Sequence, residues 1–237
     1  METSGQFLNT KFIFPTLPNN LVLRENLTRR LNEGSSKKLI LVYAPAGYGK
    51  STLVNAWLRS ILDSNSQNKA SWLSLSQQDD DPAIFFTYLI KSLQTIDRNI
   101  GNWALSLLHT PEIPFEAVST SLINNLTAFK LPCYIVLDDY HWISHDIIHT
   151  GLTYLIDHLP PNAQIILISR EAPPLPLYRL RVYDDLVELD QQDLKFSITE
   201  TGSFLKDFMG LILNDELIQV IQNKTEGWVA GLQIAAL

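Results

Sequence analysis

Apolar residues fall into two rhythms along the chain. Leu39–Tyr43 (LILVY), Cys133–Leu137 (CYIVL) and 164–169 (QIILIS) are short, almost unbroken apolar runs, as strands covered on both faces require. Ser71–Ser76 (SWLSLS) alternates and reads as another strand, and a short one is expected at 186–189. Between these runs the spacing lengthens to three and four. Leu23, Leu27 and Leu31 mark a short amphipathic helix within 21–33. Helices are predicted over about 50–62, 115–129 and 146–158. Another opens at Asp81, a good cap, with Pro82 in the first helical position. Thr199 is read as a further helix cap, and two helical segments close the chain. Strands alternating with helices give right-handed βαβ units, hence an α/β fold with a mainly parallel central sheet flanked by helices. No strand is expected after about residue 193. The division is therefore an α/β domain over 1–192, with a lead-in over 1–35, and a small helical lid over 193–237. The closing WVAGLQIAAL is apolar at helical spacing and has no stop signal, so the natural protein is expected to run on past Leu237.

The chemistry sits where the first apolar run breaks. LILVYAPAGYGKSTLVNAWL passes from strand to tight loop to helix, the arrangement that cradles phosphate on backbone N–H groups at a helix N-terminus. The candidate phosphate-binding residues are Pro45, Ala46, Gly47, Tyr48, Gly49, Lys50, Ser51 and Thr52. Gly47 and Gly49 permit close approach and unusual dihedrals. Lys50 supplies a point charge to the β- and γ-phosphates, and Ser51 a hydroxyl to Mg²⁺. Ala44 stands where the general pattern G-x-x-x-x-G-K-[ST] has its first glycine. A second apolar run delivers Asp138 and Asp139. Asp138 suits metal holding, partly through water, and Asp139 suits orienting or deprotonating the attacking water. Arg170, one residue beyond the next strand, is placed to neutralise charge growing on a transferring phosphoryl group. Arg24 reads equally as a nucleotide contact or a surface residue. His141 reads as a loop histidine, Asp79–Asp81 as a solvated helix start, and Trp57, Trp72, Phe85, Phe86 and Trp228 as core.

Composition narrows the picture. Hydrophobic residues make up 46% and charged residues 18% of 237, so the chain can bury a real core. The net charge of −7 argues against a broad nucleic-acid face. The single cysteine, Cys133, lies in an apolar run, excludes an internal disulfide and fits a reducing cytosol. No secretory signal is visible, and no run reaches the roughly 18 apolar residues of a membrane span.

Four stretches, in order, carry a family resemblance: KLILVYAPAGYGKSTLVNAWL, YIVLDDYHWI, ILISREAPPLPLYRLRVYDDLVEL and TEGWVAGLQIAAL. Together they resemble the N-terminal ATPase domain of MalT-like regulators, large ATP-binding LuxR-type activators in the STAND class of P-loop NTPases. The match runs from TKFIFPTLPNNLVLRENL to the last residue. The resemblance implies ATP/ADP and Mg²⁺ as cofactors, with Gly47, Gly49, Lys50, Ser51 and Thr52 on phosphates and metal. It implies Asp138 and Asp139 as the Walker B pair and Arg170 as sensor. It further implies a slow bacterial cytoplasmic ATPase that is closed with ADP and self-associates with ATP, with small-molecule inducer and DNA bound through regions beyond this chain. Two other outputs share the core: a STAND scaffold or defence protein, and a P-loop kinase. A kinase lid should carry several arginines, and 193–237 has none.

Overall fold

The computed structural model describes residues 7–18 and 21–236; the readings made on the first six residues and on Leu237 lie outside these. In chain order the elements are a 3-10 turn at Asn9–Phe12, α1 Glu25–Glu33, β1 Leu39–Tyr43, α2 Lys50–Ser64, β2 Lys69–Ser74 and α3 Pro82–Leu93. These are followed by α4 Asn102–Leu107, α5 Phe115–Phe129, β3 Cys133–Asp138, α6 Asp146–Asp157, β4 Ala163–Ser169, α7 Tyr178–Val182 and β5 Leu186–Leu189. Four α-helices follow: α8 Gln191–Leu194, α9 Ile198–Ser203, α10 Asp215–Thr225 and α11 Val229–Ala235, with a π-helical turn at Phe204–Phe208.

The five strands form one wholly parallel sheet in the order β2-β3-β4-β1-β5. Alternation along each strand sends side chains to opposite faces. Leu39, Leu41, Ile135, Leu137, Ile165 and Leu167 join Phe85, Phe86 and residues of α5 and α6 on one side. Ile40, Val42, Val136, Ile166 and Ile168 join Trp57, Trp72 and α1–α2 on the other. The third core is separate and lies in the C-terminal helices, around Phe196, Phe204, Leu205, Ile218 and Leu232. No strand follows β5 among the described residues. On the edge strand β5, Arg30 donates to the Glu188 carbonyl at 2.7 Å.

Several expectations need correction. The second strand starts and ends two residues earlier than read, because Lys69–Ser74 pairs in register with Cys133–Asp138 and Ser76 is taken into a capping box with Asp79. Asp79 is not solvated. It is fully buried, pairs with the Lys11 ammonium and accepts from Ser76 N and Oγ. Asp80 and Asp81 are polar anchors: Asp81 accepts from Ile84 N as the α3 cap, and Asp80 accepts from Ser144. The cap of α9 is Ser197, closed by Glu200, and not Thr199. The short helices α4 and α7 were not foreseen.

Removing Lys11 would strand a buried carboxylate. Lys11→Ala should cost about 3–5 kcal/mol in denaturant unfolding; a loss below 1 kcal/mol would show that the pair does not anchor the N-terminal arm.

Candidate nucleotide site

Parallel strands all end at one edge, and helix N-termini gather there. β4 lies between β1 and β3, so Arg170, just past β4, leaves the sheet at a position between the loop after β1 and the acids after β3. The loop turns through two left-handed glycines, Gly47 at φ 82° and Gly49 at φ 73°. Gly49 immediately precedes α2, whose first residues are Lys50 and Ser51. Ala44 is buried and is not among the left-handed residues, which is why alanine serves where the general motif has glycine. Lys50 is almost fully buried, and its ammonium donates to the Ala44 carbonyl at 2.7 Å and the Pro45 carbonyl at 2.9 Å. Burial lowers its pKa, with Asp139 and Asp138 opposing and Arg170 adding to the shift.

Across the cleft, Ser51 Oγ donates to Asp138 Oδ1 at 3.0 Å, so the loop and the acid pair share one pocket. Asp138 is buried, and its pKa rises to about 6 through desolvation and the neighbouring Asp139 charge. Bonds from Ser51 and the Asp139 amide, together with Lys50, hold it from rising further. Asp139 adopts a left-handed conformation at φ 58°, which turns its carboxylate away from the strand; the side chain is half exposed. Arg170 is exposed and makes no ion pair among the described residues, yet its charge is felt at Lys50. This donor set fits Mg²⁺: hard oxygens of Ser51 and Asp138 beside an ammonium and a glycine-lined cradle.

His141 was read as a loop histidine, and the structure encloses it beside Asp139. Its side chain is 11% exposed, its Nδ1 lies 3.8 Å from Asp139 Oδ1, and neither ring nitrogen has a partner among the described residues. Burial lowers its pKa, so the ring is neutral near pH 7 and carries one N–H donor. The signal in the sequence was its place two residues after the acid pair.

Trp228 is not core: it is 36% exposed and reaches back from the C-terminal helices to the loop. Its indole N–H donates to the Ala46 carbonyl at 3.0 Å, and Ala230 N donates to the Gly47 carbonyl at 3.0 Å. A Cβ on Gly47 would come within 2.5 Å of the Ala230 methyl and 2.7 Å of Trp228 Nε1. Tyr48 is tied in turn to Gln191 of α8, its hydroxyl 2.8 Å from the Gln191 amide nitrogen.

Arg24 sits at the head of α1 with its guanidinium turned to the far end of α8. It donates to the carbonyls of Asp193, Leu194 and Lys195, and stacks 4.6 Å from the Phe196 ring centre. Its Nε lies 2.7 Å from Glu200 Oε1, close enough to pair in charge though not aligned for a hydrogen bond. Arg24 borders an apolar cavity of about 350 Å³ that runs from Tyr48, Gly49 and Thr52 to Phe196, Phe204 and Val229. The structure therefore sets Arg24 on the cavity side of the loop, with its charge already engaged.

A strand–loop–helix cradle, a lysine, a hydroxyl and a buried acid on a 2-3-4-1-5 parallel sheet define a P-loop ATPase fold. The chain belongs to the AAA ATPase domain family, whose model matches residues 22–168. It is 34% identical over 230 residues to the HTH-type transcriptional regulator MalT of Serratia proteamaculans, and 33% identical over 230 residues to that of Yersinia enterocolitica. Each alignment covers 96% of this chain, which spans a quarter of the length of those relatives. Among solved structures it is similar in fold to a STAND protein with a tetratricopeptide repeat sensor from Pyrococcus horikoshii, at TM-score 0.69 and 15% identity, covering 92% of this chain and 30% of that one. The Orc1 protein of Aeropyrum pernix is similar at TM-score 0.54 and 16% identity, covering 92% and 60%. No helix among the described residues is long and apolar enough to cross a membrane.

The Asp138 shift carries a pH dependence. Its folded pKa lies above the ordinary carboxylate value of 3.8, so the folded protein holds this proton more tightly than the unfolded chain. Its favourable contribution is full below about pH 4 and is lost as pH rises through about 6. The roughly two-unit shift corresponds to about 3 kcal/mol. In EDTA, Asp138→Asn should melt above the wild type at pH 7.5, and the gap should close by pH 4. A gap independent of pH would refute the burial of this charge.

Proposed function

We propose that this chain is the nucleotide-switch ATPase unit of a signal-responsive transcription activator, binding ATP or ADP with Mg²⁺ and hydrolysing ATP slowly. The observation that supports this reading best is the bond from Ser51 to Asp138 beside the Lys50 ammonium, which joins the glycine loop and the acid at the end of β3 in one pocket. The loop from Pro45 to Thr52 would receive the phosphates, with Lys50 neutralising the β- and γ-oxygens. The apolar cavity bordered by Arg24 would take the base. Ser51 and Asp138 would hold Mg²⁺, which supplies charge neutralisation on the phosphoryl oxygens. Asp139 orients the attacking water and accepts its proton; a carboxylate this short and half exposed suits slow turnover. His141, neutral and unpaired, donates its N–H toward the same region. Arg170 offsets charge that grows as the bond to the leaving oxygen breaks, and so distinguishes triphosphate from diphosphate.

The switch reading rests on the lid. Residues 193–237 would form a subdomain on the α/β core of 1–192, and Trp228 and Ala230 already grip the carbonyls of the loop that receives phosphate. A change in that loop is therefore felt by the lid. ADP would favour a closed form and ATP a self-associating one, through different affinities for two states. Inducer and DNA would be met by parts of the full-length protein outside this chain, in a bacterial cytoplasm. Relatives described as transcriptional regulators favour this output over a scaffold or defence protein. The absence of arginine from 193–237 counts against a kinase.

Mg-ATP at a hundred times its Kd should raise the wild-type Tm by about 5–10 °C. Lys50→Ala should abolish that rise, and an undiminished shift would remove the site. Asp139→Asn should keep the shift while suppressing phosphate release by at least about a hundredfold. Normal release would strip Asp139 of its role.

A further inference from the structure

His141 lies in a short turn, Tyr140–Trp142, that leaves β3 through the left-handed Asp139 immediately before it. A non-glycine residue held at positive φ costs about 1 kcal/mol or more and persists only where the surroundings enforce it. Two contacts do so here. The first is Tyr140, which points away from the cleft into the core and is 1% exposed. Its hydroxyl lies 2.9 Å from Nδ1 of His149, a buried residue of α6 that the functional reading leaves without a role. Burial raises the Tyr140 pKa strongly, so the phenol keeps its proton and can donate it to Nδ1. The second is Asp80, which follows β2 and accepts from Ser144 N at 2.7 Å, Ser144 Oγ at 2.5 Å and His145 N at 2.8 Å. One end of the turn is thus fixed to α6 and the other to the β2–α3 connection.

We propose that His149 and Tyr140 form a pin that positions Asp139 and His141 for water attack, making His149 a positioning residue for the hydrolysis assigned above, on which this proposal rests. The geometry favours this over simple core filling. A tyrosine and a histidine are costly choices for a buried contact between a turn and a helix unless their polar atoms meet. The bond is directional, so it fixes the rotation of the turn about the strand end and not merely its depth. Asp139 and His141 flank Tyr140 in sequence. Rotation of the turn moves both side chains together, while Lys50, Ser51 and the base cavity stay on α2 and the preceding loop. The pin should therefore act on turnover and leave nucleotide affinity alone.

Four variants test this. Tyr140→Phe removes only the hydroxyl, and His149→Leu replaces its partner's ring with an apolar side chain that can accept no bond. Each should lower kcat about ten- to hundredfold, as small misplacements do, with Kd for Mg-ATP within twofold of wild type. The double variant should lose no more than either single one. His149→Asn, whose amide oxygen can stand where Nδ1 stood, should recover most of the rate. Hydrogen exchange of the amides from Asp139 to His145, read without nucleotide, should accelerate in Tyr140→Phe and His149→Leu and return toward wild type in His149→Asn. Wild-type kcat in Tyr140→Phe, additive losses in the double variant, or a parallel loss of ATP affinity would each overturn the proposal. A wild-type protein that releases no phosphate would instead sink the hydrolytic reading, whereas unchanged exchange in Tyr140→Phe would sink the pin itself, so the two failures are separable.

Discussion

A carboxylate buried at the end of a parallel strand sets the terms for the rest of the molecule. Asp138 is 5% exposed and stands beside a second acid, an arrangement that desolvation and like charge both resist. It is tolerable only because three groups face it: the Ser51 hydroxyl, the amide of Asp139 and the Lys50 ammonium. The three depend on two devices. Ser51 and Lys50 need α2 to begin where it does, which needs Gly49 in the left-handed region. The Asp139 amide needs the chain to turn sharply on leaving β3. The sheet order then inserts β4 between the two halves, so that Arg170 leaves the sheet between them. Fold and site are in this sense one problem with one charge at its centre.

Much of this was legible because it is local. Apolar runs marked three of the strands and alternation a fourth, and the lysine loop and acid pair sat at strand ends where the parallel topology brings them together. The Asp81–Pro82 helix start followed from capping chemistry alone. Tertiary pairing was less visible. Asp79 looked like one of three solvated acids until Lys11, 68 positions earlier, was seen against it. Trp228 has the composition of a core residue, and nothing local reveals that its N–H reaches a carbonyl 182 positions away. Arg24 could not be resolved from sequence because its partners lie some 170 positions downstream. His141 lost to a sound prior, that loop histidines are usually ordinary. Its enclosed, unpartnered ring next to Asp139 was visible only in three dimensions.

The contacts of the C-terminal helices join these long-range pairs into one system. Donors in a phosphate loop point inward, so its carbonyls point outward, and the C-terminal helices take up two of them at Ala46 and Gly47. The same loop is held from the β5 side by Tyr48 and Gln191. The Arg24 guanidinium meanwhile fastens the N-terminal arm to the α8–α9 connection, closing the apolar cavity between arm, α2 and lid. Gln191 and the Trp228–Ala230 segment, both distant in sequence, thus converge on the six-residue bend between β1 and α2.

The edge strand β5 holds a last consequence. An open edge is an invitation to further strands, yet here the Glu188 carbonyl already receives the Arg30 guanidinium, while the Glu188 carboxylate holds Arg181. A neighbouring chain that tried to lengthen the sheet at this point would first have to evict a cation. It would forfeit a charge-assisted bond worth about 1.5–3 kcal/mol. This border of the sheet is guarded by an arginine.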